Sequence, residues 1–451
     1  MMRLTLIHPA IGRRIGQRYI RSWQMEPLPA ALIAGLTPAD VEIRFYDDRM
    51  EQLPYDEPTD LVALSVETYT ARRAYQIASE YRRRGIPVVM GGFHATLCSD
   101  EVARYAESVV VGEAEEVWPL LIDDFRHGRL QARYQGAPRA GLSGLRYDRS
   151  IFGGKRYLPL GLIEAGRGCR FRCEFCAIQS FFNAGHQLRP AEEVVAEIAQ
   201  LRGTRRLFFF VDDNFASDRQ AARQLLEALI PLRIRWVTQL SIDAAHDTEF
   251  LDLLARAGCK GVLIGFESLD RATLKQMGKG FNLMRGGYAA ALDNLRRARI
   301  SVYATFVFGY DRDTPETFGQ ALDFALAQRF YIAAFNHLTP FPGTPLYERL
   351  QRDGRLLYEP WWLDERYSYN GLPFEPLQMD ASQVQRLCVE TRRRFYSLRS
   401  ITRRGLARAN RGDAFMWRNF LPINLMHRGE VGQRNHYPLG DAAWRGQLIE
   451  V

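Results

Sequence analysis

The chain has 451 residues, of which 47% are hydrophobic and 25% charged, a composition typical of a globular protein with two or three hydrophobic cores. The sequence lacks the run of about 20 apolar residues that a membrane-spanning helix needs. Its N-terminal apolar run is too short for a signal peptide, so we expect a cytoplasmic protein. The formal net charge of +8 belongs to residues 381–451, which hold thirteen arginines and five acidic residues. The rest of the chain is neutral, which argues against nucleic acid as a partner.

The first 130 residues alternate between short apolar runs and helical patterns. The predicted strands are Leu4–His8, Val41–Tyr46, Leu61–Val66, Pro87–Met90 and Ser108–Val111. Alternation of this kind, with nearly continuous apolar strands, predicts a doubly wound parallel sheet of the Rossmann or flavodoxin-like type. Such a sheet binds ligands at the carboxyl ends of its strands.

Residues 131–157 are rich in glycine and arginine, and we interpret them as a linker carrying at most one short hairpin. A second alternating series fills residues 158–345. Its predicted strands are Leu160–Ala165, Leu207–Val211, Trp236–Ile242, Gly261–Phe266, Ser301–Phe308 and Tyr331–His337. Six βα units in succession favour a partial TIM barrel, (βα)6, over a small open sheet. Residues 346–451 are predicted to form a mostly helical segment that caps the substrate.

Three of the six cysteines, Cys169, Cys173 and Cys176, fall within eight residues after the first strand of this second series. Cytosolic thiols are normally reduced, so a disulfide framework is not expected. Clustered structural thiols would be a coincidence of spacing, and a structural zinc ion needs a fourth protein ligand that is not nearby. Three thiolates on a loop suit an iron–sulfur cluster with one iron left open to a small molecule.

This C-x-x-x-C-x-x-C loop resembles that of the radical S-adenosylmethionine (SAM) superfamily. The resemblance implies that the cysteines hold a 4Fe–4S cluster, that SAM chelates its open iron, and that reductive cleavage yields a 5′-deoxyadenosyl radical. It also implies that Phe175 lies beside the adenine of SAM. Further SAM contacts are expected from polar residues at or near the ends of the second to fifth strands of the series: Asp212, Asp213, Asn214, Gln239, Ser241, Glu267 and Thr305. The alternative for the second strand is that Asn214 or Ser217 caps the following helix.

The N-terminal segment resembles the cobalamin-binding domain of one class of these enzymes, which includes hopanoid and bacteriochlorophyll methylases and the anaerobic magnesium-protoporphyrin ester cyclase. The turns GGFHAT and GEAE carry the resemblance, and G-x-G-x-x-G, the dinucleotide motif, is absent. Cobalamin contacts are expected from Ser65, Gly91, Gly92, His94, Thr96, Gly112 and Glu113. The D-x-H-x-x-G motif that supplies a histidine to cobalt is missing. Either cobalamin binds without such a ligand, with His8 and His94 lining its pocket, or these are hydrogen-bonded loop histidines and the cofactor is lost.

The sequence therefore predicts a cobalamin-dependent radical SAM enzyme that methylates an unactivated carbon of a small, hydrophobic or anionic metabolite, such as a lipid or tetrapyrrole. An electron donor such as ferredoxin or flavodoxin is expected. The rivals are a radical SAM enzyme that does not methylate, a methylthiotransferase, and a binding protein without catalysis. A solvated face is expected for Arg392–Arg394, and the alternative is that the arginines of the tail recruit an anionic substrate, a membrane surface or RNA. A lid over the barrel is expected from five aromatic residues, which would also suit a flat, hydrophobic substrate: Trp361, Trp362, Tyr367, Tyr369 and Phe374.

Overall fold

The computed structural model of the chain describes residues 1–137, 141–283 and 286–451. These residues form an α/β fold built on two six-stranded parallel sheets, which confirms the predicted class. We number the strands of these two sheets β1–β12 in chain order. Single-turn helices lie at Arg21–Trp23, Thr68–Thr70, Arg149–Phe152, Ile230–Leu232, Ile242–His246 and Gly280–Leu283.

The N-terminal sheet contains β1 to β6 at Arg3–His8, Glu42–Asp47, Leu61–Ser65, Val88–Gly91, Ser108–Val111 and Arg133–Gln135. Their order is β2-β1-β3-β4-β5-β6, and all pairs are parallel. Its helices are Leu28–Leu36, Ala71–Arg82, Phe93–Leu97, Ser99–Val102 and Trp118–Arg126. Successive residues of β3 point to opposite faces, so Val62 and Leu64 join one apolar core while Leu61 and Ala63 join another.

Strand β6 lies within residues 131–157, which we predicted to be a linker with a short hairpin. Instead of pairing with a neighbouring strand of a hairpin, it runs parallel to β5 at the edge of the N-terminal sheet. Its single buried residue, Tyr134, donates a hydrogen bond to Asp124 of the preceding helix. Residues 138–140 of the predicted linker lie outside the described residues.

The second sheet contains β7 to β12 at Gly161–Ile163, Phe208–Phe210, Trp236–Leu240, Cys259–Glu267, Ser301–Phe308 and Ile332–His337. All pairs are parallel and the strands follow one another in chain order. The helices are Ala177–Phe182, Ala191–Leu201, Arg219–Leu229, Thr248–Arg256, Arg271–Gln276, Gly287–Arg297, Pro315–Ala327 and Pro345–Arg352. In β11, Phe306 and Phe308 pack beneath the helices, whereas Tyr303 and Thr305 point to the opposite face of the sheet.

The C-terminal segment is mostly helical, with helices at Ala381–Phe395, Leu398–Gly405, Arg408–Arg411 and Ala414–Arg434. Its side chains cover the open edge of β12. Tyr396 Oη donates to the carbonyl oxygen of Ala333 at 2.9 Å, and Arg392 Nε donates to that of Phe335 at 2.8 Å. Because an unpaired strand edge exposes hydrogen-bonding groups, these contacts protect the sheet from further strand addition.

The positive charge of this segment is divided between the interior and the surface. The expectation of a solvated face at Arg392–Arg394 is wrong for Arg392, which is buried, and holds for Arg393 and Arg394, which are exposed. Arg404 is also buried and donates to the carbonyl oxygens of Phe330 and Tyr331, beside the start of β12. Part of the arginine excess therefore serves the fold.

The aromatic residues that follow Pro345–Arg352 pack differently from the predicted lid. Trp361, Trp362 and Tyr367 join the core that includes helix Ala71–Arg82 of the N-terminal sheet, and Phe374 joins the core of the second sheet. This expectation is wrong because the aromatic residues bridge the two sheets instead of covering one. Among the described residues, no helix is both long and apolar enough to cross a bilayer.

Candidate active site

The cysteine loop begins where a short strand, Gly166–Gly168, ends beside the carboxyl end of β7. This strand pairs antiparallel with His186–Leu188, which follows the loop and its helix. Gly168 has φ +84°, and a Cβ atom there would lie 2.2 Å from the carbonyl oxygen of Gly185. Only glycine fits this position, so it allows the chain to turn into Cys169.

Neighbouring segments hold the backbone of the loop in place. Gly168 N donates to Asp213 Oδ2 at 2.8 Å, and Arg170 N donates to Ser217 Oγ at 2.9 Å. Further along, Glu174 N donates to the carbonyl oxygen of Met277 at 3.1 Å. The loop is therefore positioned by residues that follow β8 and β10, at the carboxyl face of the second sheet.

Cys169, Cys173 and Cys176 are unpaired thiols, each half-buried. Among the described residues, no three histidine, cysteine, aspartate or glutamate side chains lie close enough together to hold a single metal ion. A structural zinc ion requires four such donors around one centre, whereas a 4Fe–4S cluster takes its thiolates one per iron. Burial raises the pKa of the Cys173 thiol to about 12, so cluster binding must release its proton. The donor set fits a cluster with one iron left open.

The polar residues after β8 gather beside the cysteine loop, as predicted. Asn214 Nδ2 lies 3.6 Å from Cys169 Sγ and donates to Ser241 Oγ at 3.1 Å. Gln239 Nε2 donates to the carbonyl oxygen of Asp212 at 3.3 Å. The alternative that Asn214 or Ser217 caps the next helix is wrong, because Asp218 caps Arg219–Leu229.

Two carboxyl groups in this cluster are enclosed by protein: Asp212 is buried and Asp213 is half-buried. Asp212 Oδ1 accepts from Ala165 N at 3.1 Å, whereas Oδ2 has no hydrogen-bond partner among the described residues. Burial raises the pKa of Asp212 well above its usual range and that of Asp213 to about 6. An unpartnered buried carboxyl oxygen at a strand end is available to a polar ligand group.

Glu267 ends β10 in a strained conformation, with φ +61°. Its Oε1 accepts from Lys279 Nζ at 3.0 Å, and Lys279 also donates to the carbonyl oxygen of Gly265. A Cβ atom at Gly265 would lie 2.1 Å from Glu267 Oε1, so glycine makes room for the ion pair. Thr305 Oγ1 is 3.5 Å from Glu267 Oε2. Burial acts to lower the pKa of Lys279, but the pair with Glu267 outweighs it and raises the value. Sequence reasoning missed Lys279.

Phe175 lies between the second and third cysteines and is partly buried against the core of the second sheet. A nearby aromatic pair, Phe171 and Phe281, stacks with ring centroids 3.8 Å apart. Both contacts fix the cysteine loop against the sheet. The placement of Phe175 beside adenine stays a prediction.

The glycine turns of the N-terminal sheet are tied together by Thr96. Its Oγ1 accepts from Gly112 N at 2.9 Å and donates to the carbonyl oxygen of Gly92 at 3.0 Å. Gly92 has φ +104°, and a Cβ atom there would lie 2.8 Å from the carbonyl oxygen of Val66. Gly91 is half-buried at the end of β4. Backbone packing therefore accounts for Gly92, and Thr96 holds the two turns side by side.

His94 is fully buried and has a protein partner at each ring nitrogen. Nδ1 lies 3.3 Å from Thr68 Oγ1, and Nε2 lies 3.2 Å from Glu101 Oε1, which also accepts from Trp362 Nε1. Of the two readings left open above, this geometry matches a hydrogen-bonded loop histidine. His94 thus links the N-terminal sheet to the aromatic segment.

The carboxyl ends of the two sheets face each other through Arg167, two residues before Cys169. Its guanidinium pairs with Glu113 at 2.8 Å and with Glu115 at 2.5 Å, both from the turn after β5. It also pairs with Glu164 at 2.9 Å. Nearby, the ring of Phe93, which follows β4, lies 4.5 Å from that of Phe181, on the helix after the cysteines.

Three ionisable side chains are enclosed by protein but keep accessible surface. Glu67, just beyond β3, keeps accessible surface even though surrounding protein raises the pKa of its carboxyl group through burial. His8 and Tyr303 combine the same two properties, and burial lowers the pKa of His8 to about 3. Ser65, at the end of β3, is half-buried on the same edge of the sheet.

Comparison with known proteins extends this description. Residues 163–325 match the Radical SAM superfamily. A bacteriochlorophyllide d C-12(1)-methyltransferase of Chlorobaculum tepidum is 30% identical over 389 residues, which cover 84% of each chain. Hopanoid C-2 methylase of Rhodopseudomonas palustris is 28% identical over 355 residues, covering 74% of this chain and 66% of the methylase.

Among solved structures, the radical SAM methyltransferase TsrM of Kitasatospora setae, with cobalamin and a [4Fe–4S] cluster bound, has a TM-score of 0.61 at 20% identity. The match covers 85% of this chain and 81% of TsrM. Fold and cysteine loop together define an iron–sulfur enzyme of the α/β class. The chain belongs to the radical SAM superfamily, and it is a radical SAM enzyme whose cofactors are a 4Fe–4S cluster and SAM. The family and these cofactors were predicted from the sequence and are confirmed.

Proposed function

We propose that this enzyme is a cobalamin-dependent C-methyltransferase that modifies an unactivated carbon of a lipid or tetrapyrrole metabolite. The observation that carries the proposal is the junction at Arg167, where the turn after β5 contacts the segment that leads into the cysteines. A cofactor at the carboxyl end of the N-terminal sheet would there lie next to SAM. The methyltransferases among the relatives support the reaction class and the substrate class.

The proposed domains are 1–130, extended by the edge strand β6, for cobalamin, the rest of 131–157 as a linker, 158–345 as the radical SAM barrel and 346–451 as the substrate cap. The strand order β2-β1-β3-β4-β5 supports a flavodoxin-like fold for the first. Six parallel strands in chain order support a partial (βα)6 barrel for the second.

When bound, the cluster and SAM supply the 5′-deoxyadenosyl radical, and cobalamin supplies the methyl group. Cys169, Cys173 and Cys176 would hold the cluster. The amide of Asn214 would hold the first cysteine in position, and Asp213 holds the loop backbone through Gly168. We assign no separate general acid or base.

SAM would be held by polar groups at the carboxyl ends of β8 to β11. The unpartnered oxygen of Asp212 and the strained Glu267, with its Lys279 partner, are placed to accept and donate hydrogen bonds there. The remaining polar residues predicted from the sequence would also contact SAM: Asp213, Asn214, Gln239, Ser241 and Thr305. Phe175 would lie beside its adenine.

Cobalamin would lie against the edge formed by Ser65, Gly91 and Thr96, with the accessible side chains of His8 and Glu67 lining its pocket. We propose that it binds without a histidine ligand to cobalt. Four further residues predicted to contact cobalamin would shape the turns around it instead, because each is engaged by protein: Gly92, His94, Gly112 and Glu113. An electron donor such as ferredoxin or flavodoxin and a cytoplasmic location complete the proposal.

Anaerobic purification with cobalamin supplied tests this proposal. The parent enzyme should retain cobalamin and, once reduced, release 5′-deoxyadenosine and methionine from SAM. The Cys176→Ala variant should lose SAM cleavage, whereas Cys98→Ala, which changes a half-buried thiol between helices Phe93–Leu97 and Ser99–Val102, should keep it. Cleavage by Cys176→Ala at the parent rate would overturn the cluster assignment. Cleavage by a parent enzyme that never retains cobalamin would instead support a radical reaction other than methylation.

A further inference from the structure

Helix Ala414–Arg434 presents large apolar side chains to solvent. Trp417, Leu421 and Leu425 are 47%, 53% and 41% exposed. They recur every fourth residue and therefore lie on one face of the helix. Met416 and Phe420, by contrast, are buried on its inner face. A row of exposed tryptophan and leucine is unusual on a protein surface, where large apolar residues occur singly.

The row continues onto two neighbouring elements. Trp417 Nε1 donates to the carbonyl oxygen of Gly405 at 3.2 Å, which places the indole beside the exposed Leu406. At the other end, Leu425 and the exposed Ile15 line the same surface groove. Ile15 lies in a loop of the N-terminal sheet, so distant parts of the sequence contribute to one apolar surface.

Positive charge surrounds this surface. Six arginines are exposed within residues 398–428: Arg399, Arg403, Arg408, Arg411, Arg418 and Arg428. The single acidic residue between positions 398 and 429 is Asp413, which is paired with Lys260 at 3.0 Å. Arg14 and Arg18 flank Ile15. Arg411 lies over the ring of Trp417, 5.6 Å from its centroid, so positive charge directly adjoins the apolar row.

We propose that this surface, defined by Ile15, Leu406, Trp417, Leu421 and Leu425 with the arginines around them, binds the surface of an anionic lipid bilayer. Apolar side chains of a helix lying in the interface insert at the boundary of headgroups and acyl chains, and arginines contact the lipid phosphates. Each basic residue near an anionic surface strengthens binding about five-fold. The charge of the surface is complementary to this partner.

Two other partners suit the surface less well. Single-stranded RNA is bound by aromatic side chains on which bases stack, and here the row consists mainly of leucine and isoleucine. A second copy of the chain would bring like-charged arginines together, which opposes association. A bilayer accommodates both the aliphatic row and the arginines. The proposal is independent of methylation, since it concerns a surface formed mostly by the C-terminal helices.

Co-sedimentation with vesicles tests the apolar row. The enzyme, purified anaerobically, should bind vesicles of phosphatidylcholine and phosphatidylglycerol in equal parts and fail to bind phosphatidylcholine alone. The double variant Leu421→Ser, Leu425→Ser should bind about ten-fold more weakly. The matched control is Leu120→Ser, Leu377→Ser, which changes two leucines that are equally exposed but lie elsewhere. Both variants should keep the parent rate of SAM cleavage, which reports folding.

A second pair of variants tests the charge. Arg403→Gln, Arg418→Gln should weaken binding about 25-fold at low salt, and added salt should release the parent enzyme. The control Arg256→Gln, Arg352→Gln removes two exposed arginines elsewhere and should bind like the parent.

Three results would overturn the proposal. One is equal sedimentation of the parent with both vesicle types or with neither. Another is binding of single-stranded RNA that the Arg403, Arg418 variant loses while vesicles are ignored. The third is a concentration-dependent dimer in analytical ultracentrifugation that the Leu421, Leu425 variant abolishes.

Discussion

Replacing Arg404 with alanine is expected to destabilise the protein, because this buried side chain satisfies hydrogen-bond acceptors from several elements. Its guanidinium and Nε donate at 2.9–3.1 Å to the carbonyl oxygens of Phe330, Tyr331 and Phe395 and to the side chains of Ser400 and Asn424. The guanidinium carbon also lies 3.9 Å from the ring centroid of Phe395. Burial lowers the pKa of Arg404 to about 10.

The expected magnitude follows from the groups left behind. Alanine leaves the carbonyl oxygens of Phe330 and Phe395 and the side-chain oxygen of Asn424 without this donor, whereas Tyr331 still accepts from Asn424 Nδ2 at 3.2 Å. An unsatisfied buried acceptor costs about 1–3 kcal/mol. Part of this is offset because no charged group has to be desolvated in the variant. We expect the free energy of unfolding to fall by about 3 kcal/mol.

Urea denaturation followed by tryptophan fluorescence measures this loss. Arg403→Ala is the matched control, because Arg403 is exposed on the same helix and should change stability by less than about 0.5 kcal/mol. Arg404→Lys keeps the charge but lacks the planar fork, so its midpoint should fall between the two. If Arg404→Ala unfolds at the same urea concentration as Arg403→Ala, the buried hydrogen bonds do not stabilise the C-terminal segment as argued.

Three further predictions concern buried ionisable groups. Lys279→Met should lower the free energy of unfolding, measured by thermal denaturation, by about 3 kcal/mol, because it leaves Glu267 unpaired. The double variant with Glu267→Gln should recover part of this loss, and a loss that is no smaller in the double variant would contradict the explanation. Burial lowers the pKa of His337 from 6.5 to about 3, so below pH 6.5 the unfolded chain binds more protons and stability falls as pH falls. His337→Leu should remove up to about 1.4 kcal/mol of this loss per pH unit, and an unchanged slope in urea denaturation would refute it. Arg167→Gln should lower the free energy of unfolding in urea by about 3 kcal/mol, because it leaves three carboxylates without their shared cation. A variant as stable as the parent would show that these ion pairs do not hold the junction together.

Local patterns in the sequence predict the strands well. The bounds of Ser301–Phe308 and Ser108–Val111 agree with the structure, because a continuous apolar run with clear ends determines a buried strand. The spacing of the three cysteines is equally local. The gathering of Asn214, Gln239 and Ser241 also follows, since parallel strands end on one edge of a sheet.

Contacts between distant segments are a different matter. Lys279 gives no sequence signal, because it meets its partner Glu267 only through the fold of the segment between them, which contains helix Arg271–Gln276. Trp362 donates a hydrogen bond to Glu101, on helix Ser99–Val102, and therefore is not part of a lid over the barrel. Arg392 donates to the edge of β12 and therefore does not belong to a solvated face. The sequence shows that these residues are aromatic or charged, but the surfaces they pack against are formed by distant parts of the chain.

Through the Arg167 junction, the position of the cysteine loop depends on the orientation of the N-terminal sheet. Glu113 and Glu115 hold a guanidinium that is one residue from Gly168 and two from Cys169. A tilt of that sheet would pull on the backbone that carries the first cluster ligand. In a chimaera whose N-terminal half comes from a relative, that half also supplies residues that position the cysteine loop. Such a chimaera should retain iron only if the relative has acidic residues equivalent to Glu113 and Glu115.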